Sequence, residues 1–171
     1  MPNTFTLIAS STVPSNQAAI EFTSIPATFT DICLLLSTRV TRSTVSSTLG
    51  LTFNNSSSGY STRAIEGSGS AAASYSDTGS FITLMAQPAN NATANTFGNL
   101  WIYISNYAGS AYKSVSIDSV AETNATTTYM NLTAGLWSNT SAITSVKFTE
   151  PNGGSNFVTY STAYLYGIKN S

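Results

Sequence analysis

The sequence contains no histidine and a single cysteine, Cys33. The absence of histidine excludes Ser-His and Cys-His dyads, imidazole ligands for metal ions and the usual general base near neutral pH. Cys33 lies in the apolar run of residues 32–36, which favours a buried thiol over a reactive nucleophile. We therefore expect a protein that is not an enzyme and that has neither a metal site nor a cofactor.

Charge is also scarce, because Asp, Glu, Lys and Arg form 8% of the chain against about 25% in a typical soluble domain. The counts Lys+Arg 6 and Asp+Glu 7 leave no positive surplus to neutralise phosphates. We expect no nucleic-acid partner and no polybasic contact with a membrane. Ser, Thr and Asn together make up about two-fifths of the sequence, so hydroxyl and amide groups must cover much of the surface.

Long hydrophobic runs are absent as well. The longest, around Leu34, falls far short of the roughly 18 residues that a membrane span needs. Residues 1–5 lack the charged segment and apolar core of a signal peptide, so we expect synthesis in a cytoplasm without secretion. The apolar content of 42% is nevertheless high enough to build a folded core.

The pattern that is present belongs to β-strands. Short segments rich in Val, Ile, Thr, Phe and Tyr alternate with clusters of Gly, Asn, Ser and Pro, which predicts roughly ten strands. We expect an all-β fold with one domain over residues 1–171, a two-sheet antiparallel sandwich of jelly-roll-like form. Residues 30–38 and 96–105 are apolar on both faces, which predicts strands that are covered on both sides.

Two further segments yield specific expectations. The Gly/Ser/Ala-rich residues 67–80 are predicted to form a long loop, of the kind that is often functional. Residues 142–149 and 156–168 are predicted to form a final hairpin around a turn at 150–155.

The catalytic motifs in the sequence are weak. Asp118 and Glu122 would share a strand face at roughly 13 Å, too far apart for either standard geometry of glycoside hydrolysis. Ser110 and Lys113 have the S-x-x-K spacing of serine acyl enzymes, but on a strand these two side chains would point to opposite faces. We interpret Asp118 and Glu122 as solvated charges, and the S-x-x-K spacing as a chance match in a serine-rich chain.

Aromatic side chains are the stronger candidates for a binding function. Flat rings stack on the apolar faces of pyranoses while Asn and Ser side chains bind the hydroxyl groups, so exposed rings could bind a surface glycan. The same rings could instead fill the core of a sandwich or lie in a subunit interface. The candidate contact residues, for a protein or a glycan, are Tyr75, Tyr107, Tyr112, Tyr160 and Tyr164.

Much of the chain resembles a family of small structural proteins from the virions of tailed bacteriophages that infect cyanobacteria and other marine bacteria. The resemblance is carried by residues 124–129 (NATTTY), 132–140 (LTAGLWSNT) and 142–145 (AITS), and extends to residues 94–98, 104–114, 161–168 and parts of residues 6–31. These motifs are structural, and no catalytic residue is transferred by them.

The resemblance implies a role in the virion after synthesis in the host cytoplasm. The leading hypothesis is a capsid decoration (cement) protein, favoured as a homotrimer, that binds the major capsid protein and other virion proteins and stabilises the shell. Residues 67–80 and the N-terminal segment are its candidate contact elements. The alternative is a module of a tail fibre, baseplate or surface knob that binds a host surface glycan or receptor.

Overall fold

The computed structural model describes residues 4–125, 128–152 and 154–169, so parts of the N-terminal segment, of the motif at 124–129 and of the turn at 150–155 lie outside it. Twelve strands and no helix occur in the described residues, which confirms the all-β prediction and corrects the count of roughly ten strands. The strands are β1 (Phe5–Thr12), β2 (Ala19–Phe22), β3 (Asp31–Thr38), β4 (Ser46–Phe53), β5 (Tyr60–Gly67), β6 (Ala72–Gly79), β7 (Ile82–Pro88), β8 (Gly98–Ile104), β9 (Lys113–Ala121), β10 (Tyr129–Trp137), β11 (Val146–Thr149) and β12 (Thr162–Ile168).

The strands form two antiparallel sheets that pack as a sandwich. The large sheet has eight strands in the order β1, β12, β3, β8, β9, β10, β5, β6, and the small sheet has four in the order β2, β11, β4, β7. Neighbours within each sheet pair antiparallel. The predicted two-sheet antiparallel sandwich is therefore confirmed, while the jelly-roll connection pattern stays a prediction.

Strand β3 lies in the middle of the core, as its sequence predicts. It pairs with β12 on one side and β8 on the other, and its alternate residues Ile32, Leu34 and Leu36 are buried in the cluster between the sheets. Cys33 points to the opposite face and is also fully buried. Burial raises the pKa of its thiol to about 11, so Cys33 packs as a small apolar residue.

An aromatic cluster fixes the register of β5 and β10. Tyr60 and Trp137 are paired across these strands, stack with ring centroids 6.2 Å apart, and contact Phe53 from the small sheet. The Tyr60 hydroxyl accepts a hydrogen bond from the backbone N–H of Phe53 at 2.8 Å. Because side chains alternate along a strand, this anchor decides which residues of β5 and β10 face the core.

The prediction of a long loop at residues 67–80 was wrong. Residues Ala72–Gly79 form β6, which pairs with β5 along its whole length and is the edge strand of the large sheet. A short turn closed by the bond from Ser68 N–H to the Ala71 carbonyl joins the two strands. Every residue of β6 is exposed, so its small and polar side chains are those of an uncovered edge strand. The backbone of β6 forms its strand hydrogen bonds with the backbone of β5.

The predicted final hairpin was also wrong. Strand β11 lies in the small sheet between β2 and β4, whereas β12 lies in the large sheet between β1 and β3. The intervening chain crosses from one sheet to the other, and on the way Phe157 is buried and forms bridges with Gln17 and Val40. Turn residues at 150–155 signal a reversal of the chain but do not specify the sheet that the next strand joins.

Candidate functional site

The register of the large sheet places one row of side chains across six adjacent strands, β12, β3, β8, β9, β10 and β5. The row points away from the small sheet and consists of Tyr164, Leu35, Trp101, Asp118, Leu132 and Ile65. Five steps between strands, at about 4.8 Å each, give the row a length of about 24 Å. We call this side of the large sheet the outer face.

Large apolar side chains are exposed along the outer face. They include Trp101 at 47% exposure, Leu132 at 54% and Met130 at 63%. The set comprises Phe5, Leu7, Ile65, Trp101, Val120, Met130, Leu132 and Tyr164. The expectation that residues 96–105 are covered on both faces was therefore wrong, because only the face with Leu100, Ile102 and Ile104 is buried. Several large apolar side chains exposed on one face of a sheet are typical of interaction sites.

Strand β10 contributes to the outer face through an inverted polarity pattern. Met130 and Leu132 point outward, whereas Asn131 and Thr133 point into the protein and are buried. Within the described residues, neither the Asn131 amide nor the Thr133 hydroxyl has a hydrogen-bond partner. The strand thus buries unpaired polar groups and exposes apolar side chains, and core packing alone does not explain the free-energy cost of that arrangement.

A groove runs along the outer face at the β10, β5 and β6 end. Its volume is about 730 Å³, and its walls include Ile65, Met130, Leu132, Ala72 and Ser74. The edge strand β6 forms one side of the groove. The backbone N–H and C=O groups on its free edge lie beside the apolar side chains at the bottom of the groove. The groove is open and mostly apolar, so it suits a protein side chain or segment better than a small charged molecule.

The other end of the outer face is held by aromatic contacts. Phe5 packs edge-on against Trp101 and Tyr166, each with ring centroids 6.4 Å apart. The Tyr103 hydroxyl donates a hydrogen bond to Asp31 at 2.6 Å, and this bond raises the pKa of Tyr103. These contacts keep the rings in fixed positions, which lowers the entropy lost when a partner binds.

Formal charge on the outer face is low. Asp118 lies in the middle of the apolar row, and Arg63 lies two strands away beside Ala134. Arg63 donates a hydrogen bond to the backbone carbonyl of Thr62 at 2.7 Å. A partner can therefore bind this face mainly by apolar contact, with little dependence on charge pairing.

Of the five tyrosines predicted as contact residues, the outer face contains only Tyr164. Tyr107 is completely buried, and its hydroxyl donates to the Pro26 carbonyl, so the prediction of a contact role for Tyr107 is corrected to a core role. Burial raises the pKa of this phenol. The ring belongs to the buried hydrophobic cluster, which local turn signals around Tyr107 do not reveal.

The remaining three tyrosines are exposed at separate places. Tyr75 lies on β6, where its hydroxyl donates to Glu66 at 3.0 Å and this bond raises its pKa. Tyr112 lies in the turn before β9, and Tyr160 lies in the turn before β12. The five residues do not form one aromatic platform.

Sequence reasoning missed the aliphatic part of the outer face, which comprises Ile65, Val120, Met130 and Leu132. The available signal was the alternation in β10, where Met130 and Leu132 are spaced by two residues as on a strand face. Alternation alone cannot say which face is buried. That assignment depends on the aromatic anchor at Tyr60 and Trp137, which is a long-range contact.

Of the residues with catalytic spacing, Lys113 is bound by backbone carbonyl groups. Lys113 is buried, and its ammonium donates to the backbone carbonyls of Gly109 and Ala111, while burial lowers its pKa. Within residues 4–125, 128–152 and 154–169, no three His, Cys, Asp or Glu side chains lie close enough to bind one metal ion. Nor does this part of the chain contain a helix long and apolar enough to cross a membrane.

Comparison with known proteins gives no family. No protein-family model matches the chain, and no curated protein matches it.

Proposed function

We propose that this chain is a structural protein of a bacteriophage virion, a capsid decoration protein that binds the major capsid protein shell through the outer face of its large sheet. The observation that supports this most is the set of exposed apolar side chains on the outer face, which includes Tyr164, Trp101, Leu132 and Ile65. The likeness of the sequence to small phage virion proteins supports the choice of partner.

The size of the outer face fits a stable protein contact. Its strands are seven to nine residues long. Eight strands of that length give a face of about 800 Å² at the usual strand spacing and rise. A standard protein interface buries about 800 Å² on each partner. Decoration of a shell therefore needs no surface beyond this face.

The composition suits a permanent place on a shell. Apolar anchors surrounded by hydroxyl and amide groups bind with little Coulombic contribution, so attachment withstands wide changes in salt. Trp101 is the strongest anchor, since a half-exposed tryptophan that is already positioned buries much area at small entropic cost.

The test is binding of the purified protein to expanded capsids that lack it, measured by co-sedimentation. We expect the wild-type protein to bind and to raise the temperature at which the capsids rupture. Trp101→Ala and Leu132→Arg should each weaken binding by about tenfold or more, because central anchors dominate interface energy. Val45→Ser is the matched control, since Val45 is exposed outside the outer face.

Two results would contradict the proposal. One is the absence of binding and of any change in capsid strength. The other is equal binding by all three variants, which would move the contact away from the outer face. A low copy number in particles, together with binding to host cells, would favour the tail-fibre alternative. Sedimentation of the purified protein gives its mass in solution and so tests whether it forms the expected homotrimer.

A further inference from the structure

Tyr160 combines high exposure with an unfavourable backbone conformation. Its side chain is 76% exposed, and its φ of 73° lies in the left-handed region. The Ser161 N–H donates to the Val158 carbonyl at 3.0 Å, so Tyr160 occupies the third position of a turn that favours glycine. A bulky residue at such a position is an outlier, and outliers of this kind cluster at binding sites.

The turn that carries Tyr160 is firmly held. The Tyr160 N–H donates to the Val13 carbonyl at 2.9 Å, and the Val158 N–H donates to the Arg39 carbonyl at 2.9 Å. Ser161 is fully buried, and its hydroxyl bonds to the Arg39 backbone. The ring therefore projects into solvent from a rigid base.

A second ordered segment faces this turn. The guanidinium of the buried Arg39 donates to the backbone carbonyls of Asn90, Ala92, Thr93 and Thr96 over distances of 2.8 to 3.3 Å. These bonds fix residues 90–96 in one conformation, in which Asn95 also has a left-handed φ of 63°. The loop is thus preorganised, as a binding site requires.

Between the turn and the loop lies a cleft of about 420 Å³, which is in the usual size range of small-ligand sites. Its lining includes two aromatic residues, Tyr160 and Phe97, and two asparagines, Asn90 and Asn95. We propose that this cleft binds a neutral saccharide, with a sugar ring stacked on Tyr160 and its hydroxyl groups bound by the two amides.

The electrostatics of the cleft define the ligand class. Arg39 is the charged residue in the lining, and its two terminal nitrogens are already engaged by backbone carbonyls. A carboxylate, sulfate or phosphate on the ligand would find no free cation there. Aromatic rings with amide donors and acceptors match uncharged hexoses and N-acetylhexosamines instead.

The cleft is separate from the outer face. Its residues lie in the segment after β3, in the loop between β7 and β8 and in the turn before β12, at one end of the sandwich. A protein whose outer face is docked can therefore still bind a saccharide here. The inference goes beyond the proposed function and does not depend on it.

The experiment uses an array of neutral oligosaccharides that contain glucose, galactose and N-acetylglucosamine, with sialylated and sulfated glycans as the comparison arm. We expect the wild-type protein to bind neutral members and Tyr160→Phe to bind within about threefold, since the stacking ring remains. Tyr160→Gly and Asn95→Gly should each lose about tenfold or more in affinity. Glycine adopts the positive φ angles of both positions without strain, so neither variant should have a lower melting temperature than the wild-type protein.

Tyr112→Ala is the matched control, because Tyr112 is a similarly exposed tyrosine outside the cleft. It should bind like the wild-type protein. The inference is overturned if no neutral glycan binds, if the charged glycans bind better, or if Tyr160→Gly binds normally. A lower melting temperature of Tyr160→Gly would assign the ring a structural role instead.

Discussion

Glu150 is a buried carboxylate in a chain that has few charges. It accepts hydrogen bonds from Ser47 Oγ at 2.7 Å, Asn152 Nδ2 at 2.9 Å and Arg42 Nη1 at 3.1 Å. Burial raises the pKa of this carboxyl, but the bonds from Ser47, Asn152 and Arg42 together outweigh it and hold the pKa below its ordinary value. The network ties the end of β11 to the start of β4.

Glu150→Gln should lower the free energy of unfolding by about 1–3 kcal/mol near neutral pH, because charge-assisted bonds are lost inside the protein. The folded pKa is depressed, so the stabilisation is present above the unfolded pKa and disappears as pH falls through the folded value. The free energies of unfolding measured in urea should therefore differ between the two proteins at about pH 7, and the difference should shrink as the pH falls through the depressed folded pKa of Glu150.

Glu21→Gln is the matched control for this change. The Glu21 carboxylate lies 3.9 Å from Lys147 in a partly exposed pair, so its removal should change stability by about 0.5 kcal/mol or less. If Glu150→Gln were as stable as the wild type at neutral pH, or if the difference persisted in acid, the carboxylate would not be the stabilising group.

Strand β10 illustrates how far the sequence determines an element. Alternation of apolar and polar residues identifies a strand. In β9 the apolar residues Val115 and Ile117 are buried, so the pattern also predicts the inner face correctly. In β10 the polar residues face inward, so local pattern would assign the faces incorrectly. Long-range packing at Trp137 decides them, and no local pattern contains that information.

The candidate sites were predictable only in part for the same reason. Aromatic composition pointed to Tyr164 and Tyr160, which lie on the outer face and in the cleft. The groove requires β10, β5 and β6 side by side, and the cleft requires Arg39 against the loop at 90–96. These are contacts between segments far apart in the chain, whereas the sandwich class follows from local strand and turn signals.

Gly135 on β10 lies where the two sheets approach closely. A Cβ atom there would lie 2.8 Å from two side-chain atoms of Ile82, which is fully buried on β7. Gly135→Ala should therefore lower the free energy of unfolding by about 1–3 kcal/mol, because the packed core must shift to admit a methyl group. Urea unfolding measures the change.

Gly79→Ala is the control, since a Cβ atom at Gly79 meets nothing within 4 Å and the backbone conformation accepts alanine. It should leave stability unchanged or raise it slightly. In Gly135→Ala combined with Ile82→Ala, the two losses should be less than additive, because Ile82→Ala removes the three side-chain atoms that the added Cβ atom would meet. Strict additivity would contradict a clash at this position.

At the scale of the whole molecule, direct ion pairing contributes little to the fold. Among the described residues the ion pairs are Arg42 with Glu150 at 3.1 Å and Lys147 with Glu21 at 3.9 Å. The rest of the polar network consists mainly of bonds from hydroxyl, amide and backbone groups. Such bonds do not weaken when the Debye length falls from about 10 Å at 0.1 M salt to about 3 Å at 1 M.

The melting temperature should therefore change by no more than about 4 °C between about 0.1 M and 1 M NaCl. Full screening of the partly exposed Lys147–Glu21 pair would remove at most about 0.5 kcal/mol, while the buried Glu150 carboxylate is screened much less. Differential scanning calorimetry measures the shift, and sodium sulfate, which strengthens apolar burial, should raise the melting temperature in the same assay. A fall of about 10 °C in NaCl would mean that Coulombic attraction holds the sandwich together after all.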